Sequence, residues 1–238
     1  MIANQFGYLK YGTPLSMVLS IPGAMAPAIA AFIVLMKSKV MPAKQFFKTV
    51  FAVKQPVPMY LLVIGFAAVY FGTSIITGLF EYDSFDYISL LLLPVILVGA
   101  GGLEEVGWRF VLNPALERKL PFAVACSITG VIWSIWHLPL FFFIEGSPQS
   151  DMNFLIFSIG SIGLSFAYAA IYRISKSVWL CVLAHALNNS LGGSFIMKVD
   201  RFDTAVIPVV IVAAVLIIAS ILVVTRYKIK SSVSSLNI

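Results

Sequence analysis

Long apolar runs separated by short polar loops make up most of the 238-residue chain. A helix needs about 20 mostly apolar residues to cross a bilayer. Seven runs meet that condition, and each is predicted to be a helix because lipid cannot satisfy exposed backbone groups. Their approximate bounds are 15–36, 57–80, 87–112, 121–144, 153–174, 178–197 and 204–225. The pattern predicts an all-α, polytopic transmembrane helix bundle, with residues 1–238 forming a single integral membrane domain.

The loops between these runs alternate in charge. Lys and Arg concentrate in the loops after the first, third and fifth runs and in the C-terminal tail. The loops after the second and fourth runs carry acidic residues and no Lys or Arg. Because basic loops stay on the cytoplasmic side, the N-terminus is predicted outside and the C-terminus inside.

Composition supports this interpretation. The chain is 60% hydrophobic and 11% charged, whereas soluble domains are about 25% charged. Its net charge of +6 comes from loop residues, so it favours contact with anionic lipid headgroups over nucleic acid. The predicted location is a membrane, most simply the cell membrane, with membrane lipids as partners.

Two local patterns add detail. Residues 41–56 interleave aromatic residues with lysines, which favours a short amphipathic helix at the interface, with an ordinary basic loop as the alternative. In the fifth run, Ser161, Ser165 and Ala169 repeat at intervals of four. Small residues at that spacing are typical of close helix packing.

Few strongly polar side chains lie within the apolar runs. A charge at the bilayer centre costs about 2.5–3.5 kcal/mol on insertion scales, so such groups are functional candidates. The chain has two histidines, and both belong to this set. Its members are Glu104, Glu105, Arg109, His137, His185, Asn188 and Asn189.

The two adjacent glutamates are predicted to differ in role. Glu105 and Arg109 are four residues apart, so they share a helix face and can form an ion pair. Glu104 is rotated by about 100° from that face and is left less compensated, which makes it a candidate general base. A structural charge cluster is the alternative. The preceding glycines (Gly99, Gly101 and Gly102) predict a helix break that opens to water.

The histidines lie on two other runs. Pro139 follows His137 and could kink its helix, while a packing role for His137 is the alternative. His185 and Asn189 share a face, with Asn188 nearby, and could either hold an oxyanion or join helices.

The depths of these groups do not agree at first sight. At 1.5 Å per residue, Glu104 and His137 lie about 21 and 27 Å from Arg118 and Lys119. His185 lies only about 14 Å from Lys176. A tilt, kink or recessed loop is required if the three groups are to meet.

The three motifs together resemble the CPBP family, the CAAX proteases and bacteriocin-processing (Abi) enzymes. They are Glu104-Glu105-Val-Gly-Trp-Arg109, Trp133-Ser-Ile-Trp-His137 and His185-Ala-Leu-Asn188-Asn189. The resemblance covers about residues 90–195. The family commonly has Phe where this chain has Trp133, which counts as a conservative change. Gly107 and Trp108 also replace residues that are often apolar or aromatic in the family.

The resemblance implies an intramembrane endopeptidase. Glu104 and His137 would activate a water, and His185 and Asn189 would stabilise the oxyanion. Glu105 and Arg109 would support the site or contact substrate. Family members are described both as metalloproteases and as metal-independent glutamate proteases. Glu104, His137 and His185 could bind catalytic zinc, although no obligate metal is favoured.

The substrate and two other functions stay open. A peptide or protein substrate is expected, either lipidated (a prenylated CAAX protein) or bacteriocin-like. A non-catalytic bacteriocin-immunity or scaffold protein is the first alternative. The second is a proton-coupled transporter using the Glu and His side chains as a relay. Transporters often contain internal repeats, and none is evident in the sequence.

Overall fold

A computed structural model describes residues 11–81, 98–142, 146–147, 149–192, 196–197 and 202–236. Helices account for most of these residues. Two π-helical segments, called the first and second π segments, cover Val98–Gly102 and Val106–Leu112. The α-helices are α1 (Pro14–Lys37), α2 (Ala43–Val50), α3 (Val57–Ile76), α4 (Asn113–Glu117), α5 (Phe122–Phe142), α6 (Phe154–Ser175), α7 (Val178–Gly192) and α8 (Phe202–Leu236).

The architecture is the predicted all-α membrane bundle. Five of the seven predicted spans are helices long and apolar enough to cross a bilayer, namely α1, α3, α5, α6 and residues 202–227 of α8. The third and sixth predicted spans have a different form. Residues 87–97 of the third lie outside the described residues. From Val98 onwards, the third predicted span consists of the two π segments and the short link between them, and it is not one regular α-helix.

Two predicted helix ends are wrong. The sixth predicted span was extended to residue 197, but α7 ends at Gly192, because Asn, Ser and Gly near its end are poor helix formers. The second span was extended to residue 80, but α3 ends at Ile76, and Gly78 (φ +72°) turns the chain. Beyond these ends, β1 (Phe80–Glu81) pairs antiparallel with β2 (Ile196–Met197).

Small residues allow α6 to pack closely against its neighbours, as predicted. A Cβ atom added at Gly130 of α5 would lie 2.9 Å from Ile162 Cα, and one added at Gly163 would lie 2.8 Å from Ala213 Cα of α8. Ser165 donates a hydrogen bond from Oγ to the carbonyl of Cys126 over 2.8 Å. Helix α6 therefore packs closely against α5, which carries the second motif, and against α8.

The basic segment after α1 contains the predicted short helix, α2. Phe46 and Val50 are buried on one of its faces. The ring of Phe46 lies 5.1 Å from that of Phe32 in α1. Its lysines are exposed, so α2 is amphipathic and its apolar face packs on the bundle.

Candidate active site

The segment that carries the two glutamates is not a regular α-helix. The first π segment ends at Gly102, Leu103 forms a turn, and the second π segment begins at Val106. Gly101 has φ +138°, a backbone conformation that favours glycine. The predicted glycine-rich break is therefore present. π-helical turns of this kind are often found at functional sites.

Glu105 forms the centre of a buried ionic network. Its Oε2 lies 3.1 Å from Arg109 Nε, and both side chains are fully buried, so the predicted ion pair is confirmed. The N–H of Nε is not aligned for a hydrogen bond, and the contact is therefore mainly electrostatic. The guanidinium carbon also lies 5.6 Å from the ring of Trp133 and 5.7 Å from that of Tyr168. The aromatic faces add cation–π attraction to the pair.

His185 joins the same network across helices. Its Nδ1 lies 2.9 Å from Glu105 Oε1, and the histidine is 3% exposed. The ring of Tyr168 stacks on the imidazole, with centroids 5.8 Å apart. Because a carboxylate only accepts, Nδ1 carries the proton in this contact. The other ring nitrogen, Nε2, is then directed away from Glu105.

Glu104 occupies a separate environment, as the helix geometry predicted. It is 5% exposed and forms no ion pair among the residues that the structure describes. Its Oε2 accepts hydrogen bonds from two indole groups, Trp133 Nε1 at 2.9 Å and Trp108 Nε1 at 3.3 Å. The sequence interpretation missed both donors, because it counted Trp133 as a conservative replacement for Phe.

His137 lies beside the same indole ring. Its Nδ1 is 2.9 Å from the carbonyl oxygen of Trp133, and the two rings have centroids 5.8 Å apart. A carbonyl only accepts, so Nδ1 donates and Nε2 of the neutral ring is unprotonated. His137 is half-buried, and Nε2 is thus a basic nitrogen next to Glu104's hydrogen-bond partner.

Gly101 faces the third motif. A Cβ atom at Gly101 would lie 3.0 Å from Asn189 Nδ2 and 3.5 Å from His185 Nε2. The two nitrogens therefore flank the same small space, which exists because residue 101 has no side chain. Asn189 is exposed there, while Asn188 is half-buried.

The three motifs meet around Trp133, whose ring contacts both histidines and whose Nε1 binds Glu104. The ring centroids of Trp133 and His185 are 5.3 Å apart. The mismatch in predicted depth has a physical reason. The rise of about 1.5 Å per residue used in that count is α-helical, whereas residues 106–112, between Glu104 and Arg118, are π-helical. The count therefore does not apply to this segment. Tyr168, whose ring covers His185 and Arg109, had no motif to mark it.

The residues proposed for zinc were tested against this geometry. Among the residues that the structure describes, no three His, Cys, Asp or Glu side chains come together as a metal-ligand group. Glu104 Oε2 and His185 Nδ1 already have protein partners. A histidine that binds zinc through Nε2 ordinarily donates its Nδ1–H to a carboxylate or carbonyl, as His185 and His137 do. Glu104, His137 and His185 therefore stay candidate zinc ligands, and the chemistry below is derived from the side chains alone.

Comparison with known proteins shows what this chain is similar to. Residues 86–191 match the family model described as type II CAAX prenyl endopeptidase, Rce1-like. A protein named CAAX prenyl protease 2 from Methanococcus maripaludis is 29% identical, over 76% of this chain and 75% of its own length. Both matches agree with the resemblance that the three motifs carry. The matched region contains all three motifs, and both matches support an intramembrane endopeptidase of the CAAX type.

Proposed function

We propose that this protein hydrolyses a peptide bond at the site formed by Glu104, His137, His185 and Asn189. The observation that carries the proposal is the space beside Gly101. It is flanked by Asn189 Nδ2 and His185 Nε2, at 3.0 and 3.5 Å from the missing Cβ position. Donors about 2.7–3.1 Å from a developing oxyanion are the geometry that acyl-transfer enzymes require.

In this mechanism, Glu104 and His137 activate the attacking water. The Oε1 atom of Glu104 accepts no hydrogen bond from the described residues, and Nε2 of neutral His137 is unprotonated. Either atom can take the water proton as the oxygen attacks the scissile carbonyl. The same proton is then available for the leaving amine. Positioned acid–base groups of this kind contribute about 10²- to 10⁴-fold to a rate.

His185 and Asn189 stabilise the tetrahedral oxyanion. When doubly protonated, His185 donates through Nε2 while Nδ1 remains bonded to Glu105. Arg109 and His185 then carry two positive charges around the single negative charge of Glu105. The network has a net positive charge on the side where the oxyanion develops. Glu105 and Arg109 thus support the site without contacting the reacting atoms.

We propose a prenylated CAAX protein as the substrate. An apolar groove of about 340 Å³ lies between α1, the second π segment and Trp136 of α5. Trp108 forms part of its wall and also donates a hydrogen bond to Glu104. An isoprenoid chain in this groove would therefore lie next to the catalytic carboxylate, and the apolar lining matches its chemistry. The name of the archaeal relative agrees with this choice.

The proposed location is the cell membrane, with the N-terminus outside and the C-terminus inside. Two contacts support the grouping of loops on each side. The pairing of β1 with β2 joins the chain after α3 to the chain after α7. The ion pair between Glu117 and Arg173 places the last turn of α6 beside the segment after the third predicted span. The basic loops then lie inside, as the positive-inside rule requires.

The test is cleavage of membrane-presented peptides by the purified protein in liposomes. The panel contains a farnesylated CAAX peptide, its unprenylated form and a bacteriocin-like peptide. We expect cleavage of the farnesylated peptide and a loss of at least about 10²-fold in Glu104→Gln. Glu117→Gln is the matched control, since it removes a carboxylate outside the site, and it should retain activity. Cleavage by Glu104→Gln at the wild-type rate would overturn the mechanism.

The same assay separates the remaining alternatives. Activity that persists with a chelator supports water activation by Glu104 and His137 alone. Activity lost with a chelator and restored by zinc would instead assign Glu104, His137 and His185 as ligands. A wild-type protein that cleaves none of the peptides but confers bacteriocin resistance, or moves protons, would favour the immunity or transporter function.

A further inference from the structure

We propose that Trp133 and Trp108 are positioning residues that hold one oxygen of Glu104, so that the other oxygen faces the attacking water. This inference rests on the proposed hydrolysis. It assigns a function to the two tryptophans by which this chain departs from the usual family motifs. Phenylalanine at either position would fill the space without donating a hydrogen bond.

Both indole N–H groups donate to the same oxygen of Glu104. Trp133 Nε1 and Trp108 Nε1 lie 2.9 and 3.3 Å from the same atom, Glu104 Oε2. The two donors come from different elements, since Trp108 is in the second π segment and Trp133 is in α5. Two bonds from independent directions fix both the position of Oε2 and the rotation of the carboxylate plane. An indole N–H only donates, so neither contact can reverse its direction.

Both donors are rigidly held. Trp133 is 4% exposed and Trp108 is 8% exposed. The Trp133 ring is held by edge contacts with His137 and His185, at centroid distances of 5.8 and 5.3 Å. The indole that orients Glu104 is therefore packed against both histidines of the site. A change in its position would alter the geometry of the carboxylate relative to both.

The two hydrogen bonds determine which oxygen of Glu104 can take part in the reaction. With Oε2 occupied twice, Oε1 is the oxygen that remains to accept the water proton. A carboxylate free to rotate would present either oxygen at varying distances from the scissile carbonyl. A misplacement of about 1 Å in such a group can cost about 10²-fold in rate. The two N–H groups thus contribute to the chemical step and not to substrate affinity.

The kinetic test replaces the donors and preserves the rings. β-(3-Benzothienyl)alanine at position 133 exchanges N–H for sulfur while keeping the bicyclic shape, and Trp133→Phe is the simpler companion variant. With the farnesylated peptide, kcat should fall about 10- to 100-fold, with KM unchanged. The same benzothienylalanine exchange at position 108 keeps the ring that lines the groove, and it should have a smaller effect in the same direction because the Trp108 bond is longer. Trp179→Phe, which alters a tryptophan beside Phe51, should change neither constant.

Two kinetic outcomes would overturn the inference. One is an unchanged kcat in the benzothienylalanine variant. The other is an activity loss that resides in KM alone, which would indicate a structural role or a substrate contact. Both outcomes can be measured with the benzothienylalanine variant, because it preserves the volume of the ring. They do not depend on whether Trp133→Phe folds.

A spectroscopic test separates this inference from the proposed function. The chain has four tryptophans, so their indole N–H resonances can be assigned after ¹⁵N labelling. In Glu104→Gln, the signals of Trp108 and Trp133 should move upfield as the charged acceptor is lost, while that of Trp179 stays in place. Stationary signals would overturn the positioning role even if Glu104→Gln is inactive. Cleavage by Glu104→Gln would overturn the proposed function whatever the signals do.

Discussion

The protein contains two clusters built on a glutamate–arginine pair, and they differ mainly in the burial of that pair. The inner cluster consists of Glu104, Glu105, Arg109 and His185, all at most 5% exposed. The boundary cluster consists of Asn113, Glu117, Thr129 and Arg173. In its ion pair, the side chains of Arg173 and Glu117 are 36% and 21% exposed, with Nη1 and Oε2 2.5 Å apart.

The boundary cluster connects three helices. Asn113 Nδ2 donates to Glu117 over 2.7 Å, and Thr129 Oγ1 donates to Asn113 Oδ1 over 3.1 Å. These contacts join α4, α5 and α6 where water still screens the charges.

The inner cluster has no such screening, so Glu105 and Arg109 depend on each other, whereas Glu104 is held by two indole N–H groups. A glutamate–arginine pair therefore connects helices at the boundary, whereas inside the bundle the same pair of residue types forms part of a charged site.

The largest expected difference comes from removing each arginine. Arg109→Ala leaves Glu105 buried with His185 as its remaining hydrogen-bond partner, and breaking a buried pair in this way costs about 3–5 kcal/mol. Arg173→Ala removes a half-exposed pair, which is worth about 0–1 kcal/mol. Unfolding in mixed micelles with increasing SDS measures both. Equal losses in the two variants would show that burial does not distinguish the clusters.

A methyl group added at Gly101 in the inner region should lower the rate of cleavage strongly while the protein stays folded. In Gly101→Ala, the new Cβ would lie 3.0 Å from Asn189 Nδ2, in the space assigned to the oxyanion. The positive φ adds strain. We expect kcat to fall by about 10²-fold or more, as for loss of an oxyanion donor. Cleavage of the farnesylated peptide in liposomes measures this.

Gly72→Ala is the control for that variant. A Cβ at Gly72 of α3 meets no atom within 4 Å, so both cleavage and folding should match wild type. If Gly101→Ala cleaves as fast as Gly72→Ala, the space beside Gly101 does not hold the oxyanion.

The sequence predicted the parts of the fold that depend on hydrophobicity and helix spacing. The all-α class, five spanning helices and the Glu105–Arg109 pair follow from run length and the four-residue interval. The end of α7 at Gly192 was missed because hydropathy continues to residue 197 although helix propensity does not. The roles of the predicted site residues stay predictions, even though Glu104, His137 and His185 all lie around Trp133.

The sequence did not predict the site contacts that depend on how the helices pack against one another. Trp108 and Trp133 look apolar in a hydropathy pattern, and only the packed helices aim both N–H groups at Glu104. Tyr168 lies on a helix whose small residues indicated packing alone. Gly101 was predicted to break the helix, but its contact with the third motif was not predicted. Its partner Asn189 is 88 positions away in the sequence, which no local pattern can reveal.

The smallest expected effect concerns the pH dependence of the boundary cluster. Burial raises the pKa of the Glu117 carboxyl above its ordinary value, and this outweighs the opposing influence of Arg173, Lys176 and Asn113. The folded protein therefore binds this proton more tightly than the unfolded chain. The resulting stability is present below the ordinary glutamate pKa and is lost as pH rises through the raised pKa.

Glu117→Gln removes this titration, because glutamine has no proton to lose. The free energy of unfolding of wild type should decline by about 1 kcal/mol or less between about pH 4 and pH 7 relative to that of the variant. SDS titration of both proteins across this range measures the difference. A wild-type curve that instead gains stability over the variant as pH rises would mean that the Arg173 pair outweighs burial. The boundary carboxylate would then behave like a paired surface charge, and exposure alone would not explain the contrast with the inner cluster.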